Sequence, residues 1–419
     1  MRPTAVGAPR AALLAVAGLV LSAGLAFPAA AAAPRPVTVA GTGATGSSGD
    51  GGPASAARLD QPSGIAVDAS GDLFVADTDN CAVREVPASA GTHYGVAMRA
   101  HRIYTVAGVG CTEAKGSVGF PTGVAVDASG DLFIADMTGD RVYELPAAGG
   151  GRALSASARA ARLVAVAGTG HPGYSGNGGP AASATLDDPT AVAVDAAGDL
   201  FIADTSNCVV REVPASATTA YGQAMEARHI YTVAGTGTCG VTGLGGPAAT
   251  AQLWDPTAVA VDGAGDLLIG DRGYGGVAEL AVAAGTYYST PIGAGDVAIV
   301  VGLGIFAPYL TDGLSATGFA AEANFPYGLA VAADGDLFIA DTGERVIRVV
   351  PQTGGTVFGH AVSAGDLYTV LGAIPTGSNG DATKWVTAQV TTPYGVAVDS
   401  SGDLFYSDQG ADVVRELSP

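Results

Sequence analysis

The chain has 419 residues, of which 48% are hydrophobic, 14% are charged and 63 are glycine. Disorder requires low hydrophobicity together with high charge, and a coiled coil requires far more Glu, Lys and Arg, so the composition argues against both. The 39 acidic residues outnumber the 19 basic ones and give a formal net charge of −20. Because phosphate binding depends on Lys and Arg, we expect no nucleic-acid partner.

The first 33 residues have the features of a secretory signal peptide. Arg2 and Arg10 precede an apolar run at residues 11–27, and an Ala-rich tract follows at residues 29–33. A basic start, a short apolar stretch and a small-residue cleavage sequence are typical of export. A membrane anchor is the alternative, but the run is short for a span of about 20 residues. We therefore predict a signal peptide at residues 1–33, a secreted, extracellular protein, and no membrane association after cleavage.

One phrase then recurs six times along the rest of the chain. Its first copy is PSGIAVDASGDLFVAD, which ends at Asp77, and a Gly-Asp pair inside it returns every 59 to 70 residues. Self-similarity at such a period indicates a repeat architecture in which each unit packs against its neighbours.

Each unit is predicted to form four strands, named a to d. In the first unit, strand a is the short run of Val and Ile at residues 64–68, and a tight Asp- and Gly-containing turn leads to strand b at residues 73–77. Strand c covers residues 83–86 and ends at Pro87, which cannot donate to a ladder. Strand d covers residues 103–107 and precedes a glycine.

The two ends of the mature chain complement each other. It opens with an unpartnered strand d at residues 37–41 and closes with an unpartnered strand c at residues 413–417. Pairing them closes a ring and leaves no open sheet edge, as in propellers. We therefore predict an all-β, six-bladed β-propeller with four-stranded blades over residues 34–419, and we expect it to be a monomer.

The repeated phrase also matches a known family. The pattern P-x-G-x-A-V-D-x-x-G-x-L-F-x-A-D-T resembles the NHL repeat, and all six copies carry it. Long connectors such as GDGGPASAARLDQP are similar to those of secreted bacterial NHL proteins. The resemblance implies an NHL-type propeller. Departures from the pattern are modest, such as Ala332 in place of the first Asp of the fifth copy and Gly270-Asp271-Arg272 in the fourth.

The four cysteines allow three pairings. Cys81 stands at the start of strand c in the first unit and Cys111 just after strand d, and Cys208 and Cys239 repeat that placement in the third unit. Because strands c and d are antiparallel neighbours, we predict the disulfides Cys81–Cys111 and Cys208–Cys239, which an exported protein permits. Free thiols are the alternative. A zinc site is less expected, since no CxxC spacing exists and the five His lie elsewhere, in or beside connectors.

An aspartate ends strand b in every unit. Its structural interpretation is hydrogen bonding to the backbone of a neighbouring segment. The functional alternative is a cation site, because Ca²⁺ binds clustered carboxylate oxygens. We predict no cofactor, with calcium as the alternative at Asp77, Asp136, Asp204, Asp271, Asp341 and Asp408.

The starts of the six a strands differ around the predicted central channel. Four units place a small hydroxyl there, whereas the fifth and sixth place Tyr327 and Tyr394. Trp385 lies in the loop between those units and Trp254 in the preceding loop of the same kind. Aromatic rings with polar tips suit recognition of sugars or peptides. The alternative is structural, with the tyrosines filling the channel mouth and the tryptophans anchoring long loops.

Two functions remain open at this stage. The first is an extracellular module that binds a protein, peptide or carbohydrate through Tyr327, Tyr394, Trp385 and Trp254. The second is a metal-dependent lyase or hydrolase acting at the central channel mouth, as the resemblance to lyase and gluconolactonase propellers implies. Those enzymes hold a metal with His or acidic groups at the mouth, and the strand-a openings of this chain lack such groups. We therefore favour the binding module and assign no catalytic residue.

Overall fold

The structure is a computed structural model that describes residues 35–108, 110–111, 118–147, 162–302, 312–318, 323–372 and 388–419. The predicted signal peptide lies outside these residues. Within them the chain forms six antiparallel sheets of four or five strands, which are the blades of a β-propeller and are numbered 1 to 6 along the chain. The predicted fold class is therefore confirmed. No helix in the described ranges is long and apolar enough to cross a membrane.

Every blade has the strand order a-b-c-d, with strand a innermost. The a strands are Pro62–Val67, Pro121–Val126, Pro189–Val194, Pro256–Val261, Pro326–Val331 and Pro393–Val398. The b strands are Leu73–Asp77, Leu132–Asp136, Leu200–Asp204, Leu267–Asp271, Leu337–Asp341 and Leu404–Asp408. The c strands are Ala82–Val86, Arg141–Leu145, Val209–Val213, Gly276–Leu280, Val346–Val350 and Val413–Leu417. The d strands are Tyr104–Ala107, Val164–Ala167, His229–Ala234, Asp296–Val301, Asp366–Leu371 and, for blade 6, Val37–Ala40.

Three blades have a short fifth strand that the repeat pattern did not predict. These strands, Gly179–Pro180, Gly246–Pro247 and Leu314–Ser315, lie in the connector from strand d to the next strand a. Each pairs with strand d of the blade that follows in the chain, for example Gly179 with Ile230. They therefore cover an outer edge that would otherwise expose unpaired backbone groups.

Two-stranded hairpins lie between strands c and d in blades 1, 3, 4 and 5. They pair Gly91–His93 with Val96–Met98, Thr218–Ala220 with Gln223–Met225, Gly285–Tyr287 with Thr290–Ile292, and Gly355–Val357 with His360–Val362. Two hairpins reach the a–b turn of the next blade, since the Tyr94 hydroxyl donates to Gly130 O at 2.6 Å and Tyr288 to Gly335 O at 2.9 Å. Short 3-10 turns are Ala54–Ala56, Thr78–Asn80, Ala181–Ser183, Thr205–Asn207, Ala248–Thr250 and Gln409–Ala411.

The predicted ring closure is confirmed. Strand Val37–Ala40 pairs antiparallel with Val413–Leu417, which places Val37 opposite Glu416 and Ala40 opposite Val414. Blade 6 therefore combines the first described strand with the last three, and its inner strand contacts that of blade 1.

The hydrophobic core lies between neighbouring blades. Six buried clusters occupy the six interfaces, and the one between blades 2 and 3 includes Phe133, Val142 and Leu186. Close approach of the inner strands requires glycine, because a Cβ on Gly328 would lie 2.4 Å from Tyr394 O. Both predicted disulfides are present, with Cα–Cα distances of 5.0 Å for Cys81–Cys111 and 5.2 Å for Cys208–Cys239.

Candidate functional site

The central channel is narrow where the six a strands begin. Its cavity of about 70 Å³ is lined by small residues of these strands and by Tyr327 and Tyr394. The Thr190 hydroxyl, one of the four small hydroxyls, is buried and lies 2.6 Å from the Thr205 hydroxyl, which donates to Pro256 O of the next blade. The Thr190 and Thr205 hydroxyls therefore serve contacts between blades. A cavity of this volume is far below the roughly 300–1,000 Å³ of a small-molecule site.

Tyr327 and Tyr394 are stacked on each other at the mouth of the channel. Their ring centroids lie 4.7 Å apart with an interplanar angle of 17°. Both residues are half-buried. Burial raises the pKa of the Tyr394 hydroxyl well above its usual value, and the neighbouring Tyr327 acts in the same direction. The pair thus presents two stacked aromatic rings, of which Tyr394 keeps a neutral phenol.

Arg272 joins this stack to the connector before blade 4. Its Nη1 donates to the Tyr327 hydroxyl at 2.8 Å, its guanidinium lies 5.8 Å from the ring centroid, and its Nε donates to Asp255 at 2.7 Å. Burial alone would lower the pKa of Arg272, but the hydrogen bonds with Tyr327 and Asp255 raise it above its usual value. Arg272 is therefore a fixed cation beside the aromatic rings.

Two further aromatic side chains are exposed in the connectors that precede strand a of blades 4 and 5. Trp254 precedes Asp255, is 52% exposed, and has its indole against Gly273, where a Cβ would lie 2.4 Å from Trp254 Cγ. Phe325, two residues before Tyr327, is 38% exposed. We call the set Trp254, Arg272, Phe325, Tyr327 and Tyr394 the aromatic surface. It brings together three of the four predicted ligand-binding residues, whereas Trp385 lies outside the described residues.

The six aspartates that end strand b are buried in six different blades. Five accept hydrogen bonds from backbone amides of the connector that precedes strand a of the same blade, as Asp271 does from Trp254 N at 2.7 Å. Three also lie beside a buried arginine of strand c, in the pairs Asp77–Arg84, Asp204–Arg211 and Asp341–Arg348.

These contacts give five of the six carboxylates a structural role, because they hold the connectors against the blades. Burial raises the pKa of Asp271 to about 6, although the backbone amides oppose the shift. Two clusters of three metal-capable groups occur in the described part of the chain, and neither contains any of the six. Calcium binding at these aspartates stays a prediction.

A larger cavity lies elsewhere, between blades 2 and 3. It has a volume of about 780 Å³ and is lined by the a–b turns of both blades together with Glu144 and Arg228. Of the residues that line it, none is a predicted site residue.

Comparison with known protein families identifies the repeat of blade 1. An NHL repeat model matches residues 59–85, which cover strands a and b and most of strand c of blade 1. Blade 1 therefore matches the NHL repeat, and the other blades repeat its sequence pattern. Among curated proteins, none matches this propeller significantly.

Solved structures share the propeller fold of this chain at low sequence identity. A Bacteroides thetaiotaomicron protein of unknown function has a TM-score of 0.58 at 15% identity, covering 92% of this chain and 76% of that one. An auxiliary nutrient binding protein from the same organism has a TM-score of 0.55 at 13% identity with the same coverages. A gluconolactonase from Xanthomonas campestris has a TM-score of 0.49 at 14% identity, covering 92% and 89%. At these identities the likeness concerns the fold alone.

Sequence reasoning missed Arg272 and Phe325 as members of the aromatic surface. A signal for Arg272 existed, because three of the five other copies have Thr after the Asp that ends strand b, and Arg272 was interpreted only as a departure from the repeat. Phe325 had no comparable signal, since the corresponding residue before Pro varies from copy to copy.

Proposed function

We propose that this NHL-repeat propeller is an exported module that binds an extracellular ligand through the aromatic surface of blades 4 to 6. The observation that carries the proposal is the connected set Trp254, Asp255, Arg272, Tyr327 and Tyr394. The exposed Trp254 precedes Asp255 in the chain, and Asp255 pairs with Arg272. Arg272 in turn donates a hydrogen bond to Tyr327, which stacks on Tyr394. Exposed aromatic rings held in place by polar contacts are typical of recognition sites.

The chemistry of the surface favours a neutral carbohydrate over the other ligand classes. A pyranose ring presents one face of C–H groups that packs on an aromatic ring, while its hydroxyls bond to Arg272, Asp255 and the phenols. The net charge of −20 repels an acidic polymer, and Arg272, already paired with Asp255, offers little compensation. A folded protein partner would require a wider apolar patch than these rings provide.

Two further observations support the wider proposal. The name of one structural relative, an auxiliary nutrient binding protein, agrees with a binding role. Export agrees with the predicted signal peptide and with two disulfides, which persist in oxidising compartments. We propose further that the protein is a monomer and binds neither nucleic acid nor a membrane. Edman sequencing of the protein from culture supernatant should give an N-terminus near residue 34, and retention of the full chain in cells would contradict export.

The binding proposal is tested on a broad glycan microarray, followed by calorimetry with the saccharide that binds. Trp254→Ala and Tyr394→Ala should each weaken binding by about 10-fold or more, as expected for aromatic anchors worth 1.4 kcal/mol or more. Tyr174→Ala is the matched control, because Tyr174 is 45% exposed but packs on Arg211 in blade 3. Absence of binding to any glycan, or equal loss in the control, would contradict the carbohydrate proposal.

Trp254 also provides a direct optical signal. The chain has two tryptophans, so Trp385→Phe leaves Trp254 as the sole indole. Saccharide binding should then change the emission of Trp254. An unchanged spectrum at saturating saccharide would place the ligand elsewhere on the propeller.

The lyase or hydrolase alternative has less support from the geometry. The side chains that line the central cavity are Gly, Ala, Ile, Leu, Val, Thr and Tyr, so no carboxylate or imidazole of this lining could hold a metal or transfer a proton.

A further inference from the structure

Three side chains from separate elements meet at the rim of blade 1. Asp72 follows the a–b turn, Glu85 lies in strand c, and His93 ends the first strand of the hairpin Gly91–His93. The His93 Nδ1 lies 2.5 Å from Glu85 Oε1 and 3.2 Å from Asp72 Oδ2. One ligand atom from each residue lies within 4.8 Å of the others, which is the spacing of donors around one metal ion.

The two carboxylates are buried and only partly satisfied. Glu85 is 0% exposed and Asp72 is 4% exposed. Glu85 Oε2 has no hydrogen-bond partner, although it is buried. Asp72 Oδ1 accepts the amide of Ala88 at 2.7 Å, which leaves Oδ2 directed at His93. A buried carboxylate oxygen without a partner is energetically unfavourable, so a cation at this point would supply what the protein does not.

The donor set selects a class of metal. Two carboxylate oxygens and one imidazole nitrogen suit a borderline divalent ion such as Zn²⁺, Mn²⁺ or Fe²⁺. Ca²⁺ and Mg²⁺ prefer sites made of oxygen alone. The two negative charges balance one divalent cation. His93 is 20% exposed, so water can reach the remaining coordination positions.

The other blades provide an internal comparison. Blade 3 repeats the carboxylates as Asp199 and Glu212, and blade 4 repeats them as Asp266 and Glu279. Both glutamates are buried with an unpartnered Oε2, and both aspartates accept the amide of the residue that corresponds to Ala88. The position of His93 is Ala220 in blade 3 and Tyr287 in blade 4. Blade 1 therefore differs from them by having an imidazole beside the carboxylate pair.

We propose that Asp72, Glu85 and His93 bind one divalent transition-metal ion, represented by Zn²⁺, at the rim of blade 1. The ion would bind the lone pair of His93 Nδ1, so the ring carries its N–H proton on Nε2 in the metal-bound state. The bound metal would then join the hairpin strand Gly91–His93 to strand c and to the residue that precedes strand b.

The test uses the full mature protein after dialysis against a chelator. Calorimetric titration with Zn²⁺ should show one equivalent bound, and Co²⁺ should give a visible absorption band that Zn²⁺ abolishes and Ca²⁺ does not. His93→Ala should weaken binding by at least about 100-fold, since even residues that only orient a metal ligand are worth 10–100-fold. Glu85→Gln should weaken it similarly. His171→Ala, which removes an exposed connector histidine, should leave the single equivalent unchanged.

A gain-of-site variant keeps the test independent of lost stability. Ala220→His places an imidazole beside Asp199 and Glu212, and this variant should bind two equivalents of Zn²⁺. A wild-type protein that binds no Zn²⁺ at 100 µM (about the weakest useful affinity, near −5.5 kcal/mol) would overturn the proposal. So would His93→Ala with unchanged affinity, or Ala220→His that binds no more metal than wild type.

Discussion

Replacement of Glu212 by Gln tests how deeply the strand-c carboxylates are buried. Glu212 is 1% exposed and its Oε2 has no partner. Burial raises its pKa from 4.5 to about 8, and repulsion from Asp199 and Asp195 adds to the shift. The folded state therefore retains a proton that the unfolded state has released between these pH values. Because the folded state binds more protons there, stability falls as the pH rises from about 4.5 through about 8.

The magnitude follows from the two pKa values. At 1.36 kcal/mol per pKa unit, the full difference corresponds to about 5 kcal/mol by pH 9. Local relaxation and water entry reduce such penalties, so we expect about 2 kcal/mol or more. Glu212→Gln removes the ionisation while keeping the shape. The variant should match wild type near pH 4.5 and exceed it by that amount at pH 9.

The assay is urea unfolding of both proteins at several pH values with the disulfides intact. Glu416→Gln is the matched control, since Glu416 is the repeat equivalent of Glu212 in blade 6 but is half-buried and accepts the Ser418 hydroxyl at 3.2 Å. A difference between Glu212→Gln and wild type that is the same at pH 5 and pH 9 would refute the reasoning.

Three other perturbations address the architecture. Deletion of Val37–Ala40 should lower the free energy of unfolding by about 3 kcal/mol, from roughly three ladder hydrogen bonds at about 1 kcal/mol each, and an unchanged melting temperature would argue against ring closure. Replacing both Cys208 and Cys239 with Ser should lower the free energy of unfolding by about 3–4 kcal/mol in denaturant titrations, because the disulfide spans 31 residues. Equal stability with and without reductant would contradict this expectation. Arg348→Ala leaves the buried Asp341 carboxylate unpaired and should destabilise the fold by about 3–5 kcal/mol. Thermal unfolding that shows Arg348→Ala within 1 kcal/mol of wild type, a difference ordinary for a surface site, would contradict a buried pair.

The fold could be predicted from sequence because its information is local and repeated. Each copy of the Gly-Asp turn defines one hairpin, and the unpartnered strands at residues 37–41 and 413–417 leave closure as the arrangement that covers both edges. The cysteines were predictable for the same reason, since Cys81 and Cys208 occupy one repeat position.

The contacts that make the candidate sites were less predictable, because they join segments whose relative positions the repeat does not encode. His93 lies in a connector, and its approach to Glu85 depends on a hairpin whose turn places Tyr94 at φ 47°. A positive φ at a tyrosine is uncommon, so the sequence did not indicate the hairpin. Arg272 reaches Tyr327 across the interface between blades 4 and 5, and that distance is determined by how closely the blades pack.

The most direct test of the central claim is a crystal structure of the mature protein with the saccharide identified on the array. The account predicts a sugar ring packed on the Tyr327–Tyr394 stack and Trp254, with a hydroxyl bonded to Arg272 or Asp255. A sugar bound instead in the cavity of about 780 Å³ between blades 2 and 3 would contradict it.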